Sequence, residues 1–348
     1  MLRFVRMLDA LVAALLFGAS APLVKRLVAD IGPVTLAGLL YAGSALALAP
    51  VLAWRTLRRA DAGAALRRSD VPALVASALV GSVLAPIALT FGLTRVSASA
   101  GALLLNLETP LTLAFAAVVF RERVGARFAG AFAAMLAGGA VLAFAPGPLS
   151  GSPLGTALVA AAALSWAVDS ALQRTLSARA PVAVVVARSG LGAPVALVLG
   201  RALGEPWPGA GPLVAALAVG GLAYGASIVF YLRSLRRLGL ARTSTGFALA
   251  PFVGALAAWP IAGERPGLAL GVAAALMAAG SALLLGESHR HPHVHEAGKH
   301  AHLHVHDEHH AHAHSGDEGP EPHIHPHRHE RLEHDHPHED DARHGHSH

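Results

Sequence analysis

Three ionisable side chains interrupt apolar runs: Glu108 in LNLETPLT, Asp169 in SWAVDSAL and Arg188 in VVARSGLG. A charge at the centre of a membrane helix costs roughly 2.5–3.5 kcal/mol on insertion scales, so such residues face protein or water and mark functional sites by default. An unpaired carboxylate in an apolar site is desolvated and holds a proton readily. Glu108 would then be a proton-coupling group, or a cation ligand together with Asn106. The alternative is a carboxylate neutralised by Arg188 or Lys25. Asp169 and Arg188 fall on consecutive antiparallel segments, each about 5–8 Å to one side of the midplane at 1.5 Å rise per residue. They can meet, either to fix packing or to serve a substrate path. Lys25 lines that path or snorkels to the interface. Pro110 and Pro251 each remove a helix hydrogen bond at midspan, which exposes backbone groups there. Tyr224 lines a cavity or joins helices.

A second chemistry lies at the C-terminus. All 22 His fall between His289 and His348. The recurrent unit is His-x-His, and alternate residues of an extended chain point the same way. The candidate metal ligands are His291, His293, His295, His302, His304, His306, His312, His314, His323, His325, His327 and His329. Neutral imidazole suits Zn, Ni, Co and Cu ions. The segment is polar, charged and rich in Pro, so it is expected to be disordered. No cofactor is required; a divalent metal on the tail is the one additional ligand the sequence suggests.

The elements that must position the first set are hydrophobic. Of 348 residues, 54% are hydrophobic and 14% charged, with no Cys, and mean hydropathy is +0.51. A soluble domain carries about 25% charge, so an ordinary cytosolic enzyme is excluded, as are a disulfide scaffold and a thiolate metal site. A span needs about 20 apolar residues. Residues 1–288 divide into ten such stretches: 8–29, 33–54, 71–92, 96–119, 127–145, 154–174, 181–202, 212–232, 240–261 and 267–286. Their Gly and Ala content suits close helix contact in lipid.

Lys and Arg between the spans set the orientation. With the N-terminus in the cytoplasm, that side holds 16 and the outer side five, the positive-inside bias. Both termini are then cytoplasmic. The basic residues sit in short clusters that flank spans, which argues against a nucleic-acid partner. Arg3, Arg6 and Ala19-Ser20-Ala21 also fit a cleaved leader, but the first span takes part in an internal repeat.

The second half echoes the first. At an offset of 142, Glu122-Arg123 aligns with Glu264-Arg265, Met135 with Met277 and Gly138 with Gly280; at 148, Arg26 aligns with Arg174. Five spans per half means that the halves insert in opposite directions, the architecture of secondary transporters. The expected fold is an all-α membrane protein of ten transmembrane helices in two inverted five-helix repeats, 1–146 and 147–288, followed by the tail, 289–348. Glu122 and Glu264, at span ends beside Arg, read as structural.

The chain resembles the EamA family of the drug/metabolite transporter superfamily over residues 8–286. The resemblance rests on FGASAPLVK (Phe17 to Lys25), LNLETPLTLAFAAVVFRERVG (Leu105 to Gly125), LSWAVDSALQR (Leu164 to Arg174) and FALAPFVGALAAWPIAGERP (Phe247 to Pro266). It implies export of small metabolites such as amino acids, often driven by an ion gradient. The fourth span departs from the family pattern in the polarity of Asn106 and Glu108.

The reading is a secondary transporter, an exporter of an amino-acid-like metabolite, with a metal-binding cytoplasmic tail. Export of divalent Ni, Co or Zn is one alternative. A non-transporting membrane protein that senses or buffers metal is another. An enzyme is not expected: there is no paired Asp, HExxH or Ser nucleophile motif. The partners implied are the lipid bilayer and a small-molecule or ion substrate, with a homodimer as the alternative to a monomer. High Ala, Arg and Gly content points to a bacterial inner membrane.

Overall fold

The computed structural model describes residues 2–58, 64–120, 126–144, 152–176, 179–285, 289–295, 298–304, 323–329 and 332–338. It divides the chain into two compact units, Met1–Gly286 and Glu287–His348. The regular elements of the first unit are helices. Seven of them are long and apolar enough to cross a membrane: Met7–Leu27, Pro33–Leu57, Arg68–Leu93, Ala126–Phe144, Pro153–Gln173, Pro181–Ala202 and Ala210–Leu235. Two shorter apolar helices, Ala250–Ala262 and Leu268–Leu284, follow. Helices suit this composition because lipid offers no hydrogen bonds and each backbone group must be satisfied within its own segment.

In chain order these helices are α1 (Leu2–Gly18), α2 (Ser20–Leu27), α3 (Pro33–Leu57), α4 (Val71–Leu79) and α5 (Ala85–Leu93). There follow α6 (Ala98–Leu104), α7 (Glu108–Phe120), α8 (Ala126–Phe144), α9 (Pro153–Thr175) and α10 (Pro181–Ala202). The last are α11 (Ala210–Val219), α12 (Ser227–Phe247), α13 (Ala250–Ala262) and α14 (Leu268–Leu285). Pro33, Pro153 and Pro181 each open a helix, where the missing N–H costs nothing.

Helix irregularities fall at matching places in the two halves. A π-helical turn, Val80–Leu84, joins α4 to α5, and another, Gly220–Ala226, joins α11 to α12. A 3₁₀ turn, Leu105–Leu107, lies between α6 and α7, three residues before Pro110. The chain breaks again at residues 248–249, just before Pro251. Proline cannot donate to the preceding turn, which accounts for both breaks.

Glycine allows the closest contacts. A Cβ on Gly43 would overlap the Leu217 carbonyl, and one on Gly220 would overlap the Leu40 carbonyl. Between α8 and α14 one contact is made twice with the roles exchanged. A Cβ on Gly138 would meet Met277 at 2.9 Å and the Ala273 carbonyl at 3.1 Å; one on Gly280 would meet Met135 at 2.7 Å and the Ala131 carbonyl at 2.9 Å. The sequence offset of 142 thus reappears as reciprocal packing. Large apolar residues such as Leu46, Val198, Val214 and Leu256 point outward, a surface suited to lipid rather than water.

The second unit, Glu287–His348, is the His-rich tail. Among its described residues, β1 (His289–His295) pairs antiparallel with β4 (Leu332–His338), and β2 (Gly298–His304) with β3 (His323–His329). The physical reason is the period-two His-x-His pattern, which is also that of an extended strand. Two-stranded ladders of this kind are marginal in water. The register sets His291 opposite His336, His293 opposite His334, His302 opposite His325 and His304 opposite His323. His306, His312 and His314 lie outside the described residues.

Substituting Gly220 by Val should lower stability by about 1–3 kcal/mol through overpacking against the Leu40 backbone. Gly130, with nothing near its Cβ position, should accept Ala without loss. Thermal unfolding of the detergent-solubilised protein, followed by size-exclusion recovery, measures both.

Candidate functional site

Asp169 on α9 and Arg188 on α10 meet, as their spacing on antiparallel segments allows. Arg188 Nη2 lies 2.7 Å from Asp169 Oδ2, and each side chain is 1% exposed. Asp169 is fully supported. Its Oδ1 accepts from Ser77 Oγ at 2.5 Å, and its Oδ2 from Gln173 Nε2, one helical turn on, at 2.8 Å. Arg188 Nε donates to Ser82 Oγ at 3.2 Å. The guanidinium carbon stands 5.9 Å from the Tyr41 ring centroid, within cation–π range.

Gly81 makes room for the pair. A Cβ there would overlap the Asp169 carboxylate and meet Arg188 Nη2 at 2.6 Å. Gly81 belongs to the π-helical turn, and such turns recur at functional sites. Its carbonyl accepts from Tyr41 OH at 2.6 Å and Trp166 Nε1 at 3.1 Å. The Tyr224 carbonyl, in the second π-helical turn, accepts from Ser44 Oγ at 3.1 Å, and Ser44 also bonds Ser189 at 3.0 Å. Aromatic rings from both halves pack beside the pair. Phe17 lies 5.7 Å from Trp166, 5.9 Å from Tyr224 and 5.5 Å from Phe247, centroid to centroid, and Tyr41 lies 5.5 Å from Tyr224. Tyr224 is fully buried, and its hydroxyl finds no hydrogen-bond partner in the protein.

Glu108 opens α7 directly after the 3₁₀ turn and is half-buried. Its Oε1 accepts from Ser170 Oγ at 3.4 Å, one residue beyond Asp169. The ion pairs among the described residues are Asp70–Arg179 and Asp169–Arg188. Glu108 therefore has neither of the two cations weighed as its partner. Lys25 instead donates to the Leu93 carbonyl at 2.5 Å, at the C-terminal end of α5, where a cation is favoured. Asn106 also parts from Glu108: its Nδ2 donates to Ser281 Oγ at 3.1 Å on α14. Two residues along a helix is a turn of about 200°, which points them to different neighbours. Pro110 is buried and Pro251 half-buried; each sits in the first turn of the helix that follows its break.

Sequence reading missed Ser77, Ser82, Gly81, Gln173 and Tyr41. Only Gln173 carried a signal, being four residues from Asp169 and so on the same helix face. It also missed Glu205, whose carboxylate accepts from Val34 N at 3.1 Å and Thr35 N at 2.6 Å, at the start of α3. Glu264 does the same for α6, accepting from Ala98 N at 2.6 Å and Ser99 N at 2.9 Å. Both carboxylates satisfy orphan N–H groups at helix starts. Glu122 lies outside the described residues. Among the described residues, no group of three metal-ligating side chains occurs.

Helices long and apolar enough to cross a membrane, with a charged pair buried among them, are those of a multi-pass membrane protein. The chain belongs to the EamA-like transporter family, whose model matches it twice, over residues 6–144 and 153–286. It is 27% identical over 299 residues to an uncharacterized transporter of Methanothermobacter thermautotrophicus, covering 80% of this chain and 85% of that protein. A solved crystal structure shares the fold at a TM-score of 0.57 and 23% identity, over 80% of this chain and 95% of the other. Family and relative point to a transporter rather than an enzyme.

Asp169→Ala leaves Arg188 buried and unpaired and should cost about 3–5 kcal/mol of stability. The neutral double variant Asp169→Asn/Arg188→Gln should recover most of that loss. Thermal unfolding of the purified single and double variants checks the difference.

Proposed function

We propose that the chain is a secondary transporter that exports a small, amino-acid-like metabolite, with Glu108 as its ion-coupling group. The observation that carries this reading is the position of Glu108: a half-buried carboxylate at a helix break, with no cation partner among the described residues, bonded to Ser170 next to the neutral Asp169–Arg188 pair. A carboxylate so placed can load and release a proton as the helices move.

The architecture in this reading has ten spans in two inverted repeats. The broken helix of residues 98–120 and the two shorter apolar helices complete the number. The double match to the family, the reciprocal Gly138–Met277 and Gly280–Met135 contacts, and the paired π-helical turns support the repeat. Rocking of one half against the other gives alternating access. In this reading the Lys and Arg bias favours cytoplasmic termini, and the Ala, Arg and Gly content favours a bacterial inner membrane. The tail binds divalent Zn, Ni, Co or Cu through its His-x-His units and serves to buffer or sense metal beside the transporter.

Glu108→Gln should abolish solute export without lowering the amount of protein in the membrane. The check compares the intracellular pools of organic solutes and of Ni, Co, Zn and Cu in cells producing either chain. Wild type should deplete an organic solute and the variant should not. Depletion of a metal alone would replace the metabolite reading with metal export. Separately, calorimetric titration of the purified full chain with Ni²⁺ or Zn²⁺ should show binding that is absent when the chain ends at Gly286.

A further inference from the structure

Asp169 and Arg188 are unequally satisfied. Asp169 receives Ser77, Gln173 and the guanidinium, so both its oxygens are engaged. Arg188 carries five N–H donors. It spends Nε on Ser82 and brings Nη2 to Asp169, yet Nη1 has no hydrogen-bond partner in the protein, and Nη2 approaches the carboxylate without hydrogen-bond alignment. The pair is thus one-sided, not the two-bond fork that arginine and a carboxylate form when geometry is free. Arg188 is 1% exposed, so bulk water is not at hand to take up these donors. Buried donors left over in this way call for an explanation.

We infer that the open edge of Arg188 binds the carboxylate of the transported solute. This rests on the transport reading above and names what the site recognises. The guanidinium fork matches a carboxylate in shape and charge. A phosphate dianion would bring two negative charges beside Asp169, and each uncompensated charge in such surroundings costs several kcal/mol. A carboxylate brings a single charge and is the lesser cost. The Tyr41 ring lies 5.9 Å from the guanidinium carbon, and Gly81, without a side chain, leaves room for Nη2.

The test is export from cells producing the full chain, with untargeted mass spectrometry of the medium. The solutes released in excess by wild type over Glu108→Gln should bear a carboxylate. Arg188→Lys keeps the charge but loses the fork, and should reduce their release at least tenfold at equal membrane abundance. The double variant Asp169→Asn/Arg188→Gln, verified as folded by its thermal transition, should lose release equally. A wild-type-specific solute without a carboxylate overturns the inference, as does undiminished carboxylate release by the folded double variant. If wild type, Glu108→Gln and the empty host release the same solutes, the transport reading itself fails, and the inference with it.

Discussion

A charged pair at membrane depth has to be neutralised and hydrogen-bonded within the protein, because the surroundings supply neither counterion nor water. Much of this bundle's interior answers to that demand. Asp169 and Arg188 neutralise one another, Ser77 and Gln173 bond the carboxylate, and Ser82 takes Nε of Arg188, while Nη1 stays without a partner in the protein. The pair fits only because residue 81 lacks a side chain and lies in a π-helical turn. That turn also presents the Gly81 carbonyl to Tyr41 and Trp166, which ties the aromatic cluster to the charged site. Spans from both halves are thereby drawn to one point.

Close packing in lipid must come from shape, since apolar burial gains little against lipid tails. Glycine supplies the shape. Gly43 and Gly220 bring α3 against the π-helical turn of the second half, and Gly138 and Gly280 each receive the methionine that belongs to the other's helix. A contact made twice with exchanged roles is economical for a duplicated chain: one sequence feature, repeated, serves both sides of the interface. The irregular turns fall at related positions for the same reason. Rigid straight helices would leave no place for a carbonyl such as that of Gly81 or Tyr224 to bond sideways.

The two units divide the chemistry between them. The membrane unit contains no histidine, and the tail contains all of it. In the membrane, a few charges are buried and individually supported. In the tail, many titratable groups repeat every second residue, and pairing of strands sets histidines opposite one another.

The amino-acid sequence alone determined the membrane class, the family resemblance and the residues worth attention, because these follow from composition, motifs and spacing. It also placed Asp169 and Arg188 within reach of one another, since consecutive spans are antiparallel. It left Glu108 between two fates and grouped it with Asn106. Only the tertiary structure separated them, because a side chain's partner depends on which helix lies across from it: Ser281 for Asn106, Ser170 for Glu108 and the Leu93 carbonyl for Lys25. The π-helical turns were invisible for the same reason. No periodicity announces an extra residue in a turn, and its value lies in contacts with Tyr41, Trp166 and Ser44 that are distant in the chain. Whether a buried charge is satisfied is a property of its surroundings, and the sequence names the charge without its neighbours.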